Sequence, residues 1–159
     1  MTILKQRPVD VADRAVVGVM SQPVFTVRVG ASLDDAVRAM IISGLRHLVV
    51  VNAAGRFVGV LGDHEVAAAW ADDPGSLATT AVEAVLDACP PIVARTASVR
   101  IVARVMRNYR TDVVVVVDPG RIPVGVVTAA DVVAVVAEPG SAVPRAVIAA
   151  GDGAVARPG

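Results

Sequence analysis

Slid against itself, the chain matches at one ungapped offset: Gly59 and Gly125 stand 66 residues apart, and many further pairs share that register. Among them are Ala31/Ala97, Ser32/Ser98, Arg38/Arg104, Met40/Met106 and Val66/Val132, and the run Val49 to Val51 falls on Val115 to Val117. A valine-rich chain matches itself by chance at valines, but not at glycine, serine, arginine and methionine in one register. Duplication is a strong constraint, because each copy must form the same supersecondary unit and bury a face it cannot cover alone.

In the first copy, Val24 to Val27 predicts a short strand. Ser32 is a good N-cap, and Asp34 and Asp35 set negative charge at the positive end of a helix. Leu33, Ala36, Val37, Met40 and Ile41 then recur at helical spacing until Gly44, which can end the helix in a left-handed cap. Leu48 to Val51 and Phe57 to Leu61 flank Asn52-Ala53-Ala54-Gly55 and predict a hairpin, and Asp63 to Trp70 predicts a second helix. The second copy repeats this with a strand at Ile92 to Ala94 and a helix from Ser98 to about Asn108. Strands Val113 to Val117 and Val124 to Val127 follow around Asp118-Pro119-Gly120, then a helix over Ala129 to Val136.

The expected fold class is therefore α/β (α+β): two β-α-β-β-α units stacked about a pseudo-twofold axis. Expected borders are an extension over 1–14, a first repeat over 15–71, a linker over 72–79, a second repeat over 80–137 and a tail over 138–159. The Asp-Pro-Gly of the linker marks a turn. The tail, rich in Pro, Gly and Ala, is expected to be mobile apart from a short helix around Ala142 to Ala150.

A length of 159 residues suits one compact body. Lysine plus arginine balance aspartate plus glutamate at 15 each, so no net field draws in nucleic acid. The chain is 55% apolar, yet its apolar runs, such as Val113 to Val117, fall far short of the roughly 20 residues of a membrane helix. With no secretory pattern at the start, the cytoplasm is the expected compartment. Cys89 alone forms no internal disulfide and is expected to be a structural thiol. His47 and His64 have no acidic or thiol partner at ligand spacing, which disfavours zinc. Arg95, Arg100, Arg104, Arg107 and Arg110 recur along the second long helix among acidic residues, and read as a solvated or dimer-rim face.

One string could carry binding chemistry: Gly125-Val126-Val127-Thr128-Ala129-Ala130-Asp131, where a strand becomes a helix. Gly125 lets a ligand approach the backbone. Thr128 adds a hydroxyl to the free N–H groups of a helix start, which suits phosphate. Asp131 offers paired acceptors for the two hydroxyls of a ribose. Taken alone, Thr-x-x-Asp reads more simply as a capping box.

The doubled unit with Gly-x-x-Thr-x-x-Asp opening the last helix resembles the cystathionine-β-synthase (CBS) domain, and two in tandem resemble a Bateman module. The likeness runs over about 16–137, carried also by Ala36-Val37-Arg38-Ala39-Met40, Leu45-Arg46-His47-Leu48-Val49-Val50-Val51 and Phe57-Val58-Gly59-Val60. The family usually has a proline where this chain has Val49 and Val115. The resemblance implies an adenosine nucleotide (AMP, ADP or ATP) held in a cleft between the copies, with no catalytic cofactor. Asp131 would take the ribose and Thr128 the phosphate end, with Gly125 and Val126 in the string beside them. Ile92, Ala97, Thr111, Asp112 and Val113 would surround the adenine, and Arg46 and His47 of the other copy would face the phosphates.

At the first copy's own string Gly62 stands in place of the hydroxyl and Glu65 in place of the aspartate, with Asp63 adding repulsion, so that site is expected to be weakened or empty. The module is expected to be a homodimer, paired in the family manner as a disc through the helices around Ala67 to Ala69 and Val132 to Val136. No nucleophile and base are set together, so no enzyme is expected. The expected role is an energy or metabolite sensor acting on an unknown target protein in trans. A degenerate adaptor that binds no nucleotide is the alternative.

Overall fold

The computed structural model describes residues 10–86 and 91–137; Cys89 and the helix expected in the tail lie outside them. The described elements are β1 (Thr26–Arg28), α1 (Leu33–Ser43), β2 (His47–Val51), β3 (Phe57–Gly62), α2 (Asp63–Asp72), β4 (Ile92–Ala94), α3 (Val99–Tyr109), β5 (Val113–Val117), β6 (Pro123–Thr128) and α4 (Ala129–Ala137), with 3-10 turns at Val11–Asp13, Val16–Gly18 and Val82–Val85. The fold is mixed α+β with two three-stranded sheets, ordered β1-β2-β3 and β4-β5-β6.

The chain divides into two compact units. Of the described residues, the β1–β3 unit takes in 23–86, 91–92 and 117–124, and the β4–β6 unit takes 10–22, 93–116 and 125–137. In the β1–β3 unit, β1 runs parallel to β2 in the register Thr26↔Val49, so α1 is the crossover that a parallel pair needs. β2 and β3 are antiparallel from His47↔Gly62 onward, with a shift in register at Val50/Val51. Their turn closes on the Asn52 side chain, whose Oδ1 accepts from the Ala54 and Arg56 N–H groups at 3.0 Å each, while Gly55 takes a φ of 75°. The carbonyl of Arg121 accepts from the Phe57 N–H at 2.8 Å, which ties the 117–124 turn to this unit.

Ser32 caps α1 by accepting from the Asp35 N–H at 3.1 Å, and Gly44 ends it at φ 69°. Leu33, Ala36, Met40, Leu48, Val50, Leu61, Val66 and Val82 form the core of this unit. Four of the five β2 residues are buried, and so are all five of β5. Strands buried on both faces are continuously apolar, which accounts for the valine runs. Each large aliphatic side chain so buried contributes about 1.5–3 kcal/mol.

In the β4–β6 unit, Ser98 caps α3 by accepting from the Ile101 N–H at 3.4 Å. Arg110, 66 residues after Gly44, ends α3 in the left-handed region at φ 51°. The turn after β5 likewise puts Arg121, not Gly120, at positive φ, held by the Asp118 carboxylate accepting from the Ile122 N–H at 2.9 Å.

Besides the 117–124 turn, the compact units depart from the sequence repeats in their lead-in segments, which are exchanged. In the β4–β6 unit the Val16 N–H donates to Ala97, the Val99 N–H donates to Arg14, and Ala15 bridges Ser98. The corresponding bonds recur in the β1–β3 unit: Val82 to Ala31, Leu33 to Thr80, and Ala81 bridging Ser32. Residues 14–22 thus complete the body of the second repeat, and residues 80–86 that of the first.

Candidate functional site

β6 delivers Thr128 to the start of α4, and one turn of helix brings Asp131 back over it. Asp131 Oδ2 accepts from the Thr128 N–H at 2.7 Å and from its hydroxyl at 2.9 Å, while Thr128 Oγ1 lies 3.4 Å from the Asp131 N–H. Both residues are half-buried. The hydroxyl, the carboxylate and the helix start therefore converge at one point, in a reciprocal cap with an aspartate in the place usually held by glutamate.

The loop 111–113 lies beside this cap, because the Ala129 N–H donates to the Asp112 carbonyl at 2.8 Å. Thr111 Oγ1 turns within that loop, donating to the Val113 carbonyl at 3.1 Å and accepting from the Val113 N–H at 3.3 Å. Val113 is buried in β5 and Val126 half-buried in β6. Ala97 is buried, with its carbonyl taken by Val16, and Ile92 is half-buried at the start of β4.

Gly125 is filled from within the unit. A Cβ there would collide with Met20, whose Cγ stands 2.6 Å away, and Ser21 pairs with Val126 through bonds of 2.8 and 3.2 Å. The room left by this glycine accommodates Met20. Gly59 does the same for Leu86, 66 residues after Met20, with Leu86 Cδ1 2.9 Å from the position of a Cβ.

Arg46, His47, Gly62 and Glu65 come together in the β1–β3 unit. Glu65 Oε2 accepts from the Gly62 N–H at 2.9 Å, the counterpart of the Asp131 bond without a hydroxyl. A Cβ at Gly62 would lie 2.7 Å from Glu65 Oε2 and 3.2 Å from His47 Cδ2. Asp63, expected to repel an anion, instead pairs with Arg46 at 2.8 Å. The Arg46 guanidinium, hydrogen-bonded to it, holds the Asp63 carboxyl below its ordinary value, and His47 adds to the effect. Thr128, Asp131 and the 111–113 loop thus gather in one unit, and Arg46, His47, Gly62 and Glu65 in the other. Sequence reasoning missed Met20 and the Arg46–Asp63 pair. The first was signalled by Met20 and Leu86 sharing the 66-residue register, the second by nothing local.

Among the described residues no group of three or more His, Cys, Asp or Glu side chains could hold a metal ion, and no helix is long and apolar enough to cross a membrane.

The family model described as CBS domain matches the chain twice, over residues 12–72 and 82–138. In fold the chain is similar to the CBS domain pair of protein MJ0100, solved with 5′-methylthioadenosine and S-adenosyl-L-methionine. The TM-score is 0.71 at 26% identity, covering 77% of this chain and 95% of that one. It is similar also to the conserved CBS domain protein TA0289 of Thermoplasma acidophilum, with a TM-score of 0.69 at 25% identity, covering 76% and 67%. CBSX2, solved with AMP, shares the fold at a TM-score of 0.68 and 22% identity, covering 78% and 96%. A homoserine O-acetyltransferase of Methanococcoides burtonii is 32% identical over 120 residues, 74% of this chain; the chain spans only 23% of that relative's length.

Proposed function

The chain belongs to the CBS domain family, and from that premise we propose that it is a regulatory module that binds an adenosine nucleotide (AMP, ADP or ATP) at the β6–α4 junction and catalyses no reaction. The observation that carries the proposal is the convergence of the Thr128 hydroxyl, the Asp131 carboxylate and the first N–H groups of α4. A carboxylate suits a ribose diol, and a hydroxyl at a helix start suits a phosphate. That a CBS pair 26% identical to this chain was solved with two adenosine compounds supports the same ligand class.

Ile92, Ala97, Thr111, Asp112, Val113, Gly125 and Val126 are proposed to border the base on the family pattern, and Arg46 and His47 to serve the phosphate end. Gly62 and Glu65 make a weaker second site, because no hydroxyl stands where Thr128 does. The module is proposed to work as a homodimer and to pass occupancy to a target protein in trans as an energy or metabolite sensor, since a ligand biases a conformation only through differential contacts.

Isothermal titration with AMP, ADP, ATP and S-adenosylmethionine tests the proposal. Saturable binding by the intact chain that is lost in Asp131→Ala is expected. Binding that survives Asp131→Ala undiminished would place the site elsewhere.

One observation favours a second reading, a dimeric adaptor without nucleotide: Thr128 and Asp131 already satisfy one another, and Met20 fills the space beside Gly125. No heat with any of the four ligands selects that reading.

A further inference from the structure

Between α3, α4 and the turn Val11–Asp13, the β4–β6 unit carries a groove of about 420 Å³. Val99, Ala103 and Val132 make its floor, and the exposed Val136 extends it toward the end of α4. Arg100, Arg104 and Arg107 line its α3 edge, at spacings of four and three residues that keep them on one side of the helix.

This arginine row works against the helix that carries it. In the 66-residue register Arg100 corresponds to Asp34 and Arg104 to Arg38. In α1, Asp34 suits the positive helix start and pairs with Arg38, four residues on, at 2.9 Å. In α3 both positions are arginine, so like charges stand at the same spacing and a cation stands in the first turn, and both are unfavourable. Arg100 is relieved from outside the helix, by Asp10 and Asp13 at 3.4 Å each. Arg104 and Arg107 are exposed and make no ion pair among the described residues.

The turn that relieves Arg100 shows what chemistry the groove accepts. Two carboxylates three residues apart meet the arginine, while Val11 and Ala12 between them are half-buried against the groove. Beside Arg104 and Arg107 the groove repeats that combination of apolar floor and basic edge. We propose that this part of the groove binds an acidic amphipathic helix of a partner protein, with its apolar side chains on Ala103 and Val132 and its carboxylates on Arg104 and Arg107. The proposal rests on the reading of a target protein in trans and names that target's chemistry. Apolar contact in such a groove supplies affinity, and the charged edge sets encounter and orientation. The α3 edge of a second copy offers no carboxylate, since α3 has no acidic residue. Nucleic acid binds chiefly through its phosphates and has no use for an apolar floor, and a net charge of zero does not draw it in.

Fluorescence anisotropy with the full chain tests this, in the absence of nucleotide, with a labelled amphipathic peptide that carries glutamates along one side of its apolar stripe. Saturable binding is expected, weakened by salt, and about tenfold or more weaker for the same residues in scrambled order or with glutamine for glutamate. Arg104→Glu/Arg107→Glu should weaken it by about tenfold or more and regain it with a peptide that has lysine for glutamate. Ala103→Trp, which fills the floor and leaves every charge, should weaken it to a similar extent, and circular dichroism of each variant checks the fold. Unchanged binding by either variant, equal binding of the scrambled peptide, or no saturable binding by the wild-type chain would overturn the proposal. Tighter binding of a random-sequence DNA duplex or of anionic lipid vesicles would give the arginines to those partners and overturn it too. Self-association lost in the arginine variant, in a chain that does not bind the peptide, would assign the groove to a second copy instead. Calorimetry with nucleotide decides the ligand reading separately, and failure here leaves that reading standing.

Discussion

Asp131 reaches back across one turn of α4 to Thr128 and accepts from both its N–H and its hydroxyl through a single oxygen, Oδ2. The same contact that closes the helix start is therefore the one a ribose would contest. Asp131→Ala is expected to cost about 1 kcal/mol in stability, as the loss of a helix cap does. On the proposed function it should also abolish nucleotide binding, whereas Thr128→Ser, which keeps the hydroxyl, should retain binding. Urea denaturation and calorimetry on the two variants separate the effects.

Met20 against Gly125 predicts a coupled pair. Gly125→Ala should destabilise the chain by about 1–3 kcal/mol, the range for overpacking, because the methyl group meets Met20 at its Sδ, Cγ and Cβ. Met20→Ala should recover much of that loss when combined with it, and a double-mutant cycle in urea measures the coupling. Gly59→Ala should cost less, since its nearest contact is the tip of Leu86, a flexible end.

Glu83 accepts from the Gly30 N–H at 2.8 Å, and that bond lowers its pKa from the ordinary 4.5. A carboxyl whose folded pKa is depressed adds stability that is present above its unfolded value and lost as pH falls through the folded one. Wild type should therefore exceed Glu83→Gln in stability above pH 4.5, and the difference should close below it. Denaturation at a series of acidic pH values checks this.

Gly62 and Glu65 predict a rebuilt site. Gly62→Thr alone should destabilise, because its Cβ meets the Glu65 carboxylate. Gly62→Thr with Glu65→Asp shortens the acid by one methylene and recreates the Thr-x-x-Asp string, so the double variant should be the more stable of the two. On the proposed function it should also raise the nucleotide stoichiometry.

Much of the fold was legible because it is written locally. Ser32 and Ser98 cap the helices they precede, Gly44 closes α1, and the valine runs become β2 and β5. The first strand was less so: Val24 to Val27 was the expectation, while β1 runs from Thr26 to Arg28, where pairing with Val49 to Val51 sets its limits. Arg110 and Arg121 at positive φ left no local trace, since the signal for such a backbone is glycine or asparagine. In the candidate site Thr128 and Asp131 stand together as their spacing implied. The Asp63–Arg46 pair did not show, because it joins residues 17 apart that only the β2–β3 pairing brings close.

The exchanged lead-in segments bear on how the chain can be divided. A cut between residues 72 and 79 would follow the repeat border, yet it would strand residues 14–22 on one fragment and their partners Ala97, Ser98 and Val126 on the other. Residues 80–86 would be separated in the same way from Ala31, Ser32 and Leu33. The two halves of the chain are therefore expected to behave as complementing fragments, each lacking a segment that the other carries, and to reassemble on mixing.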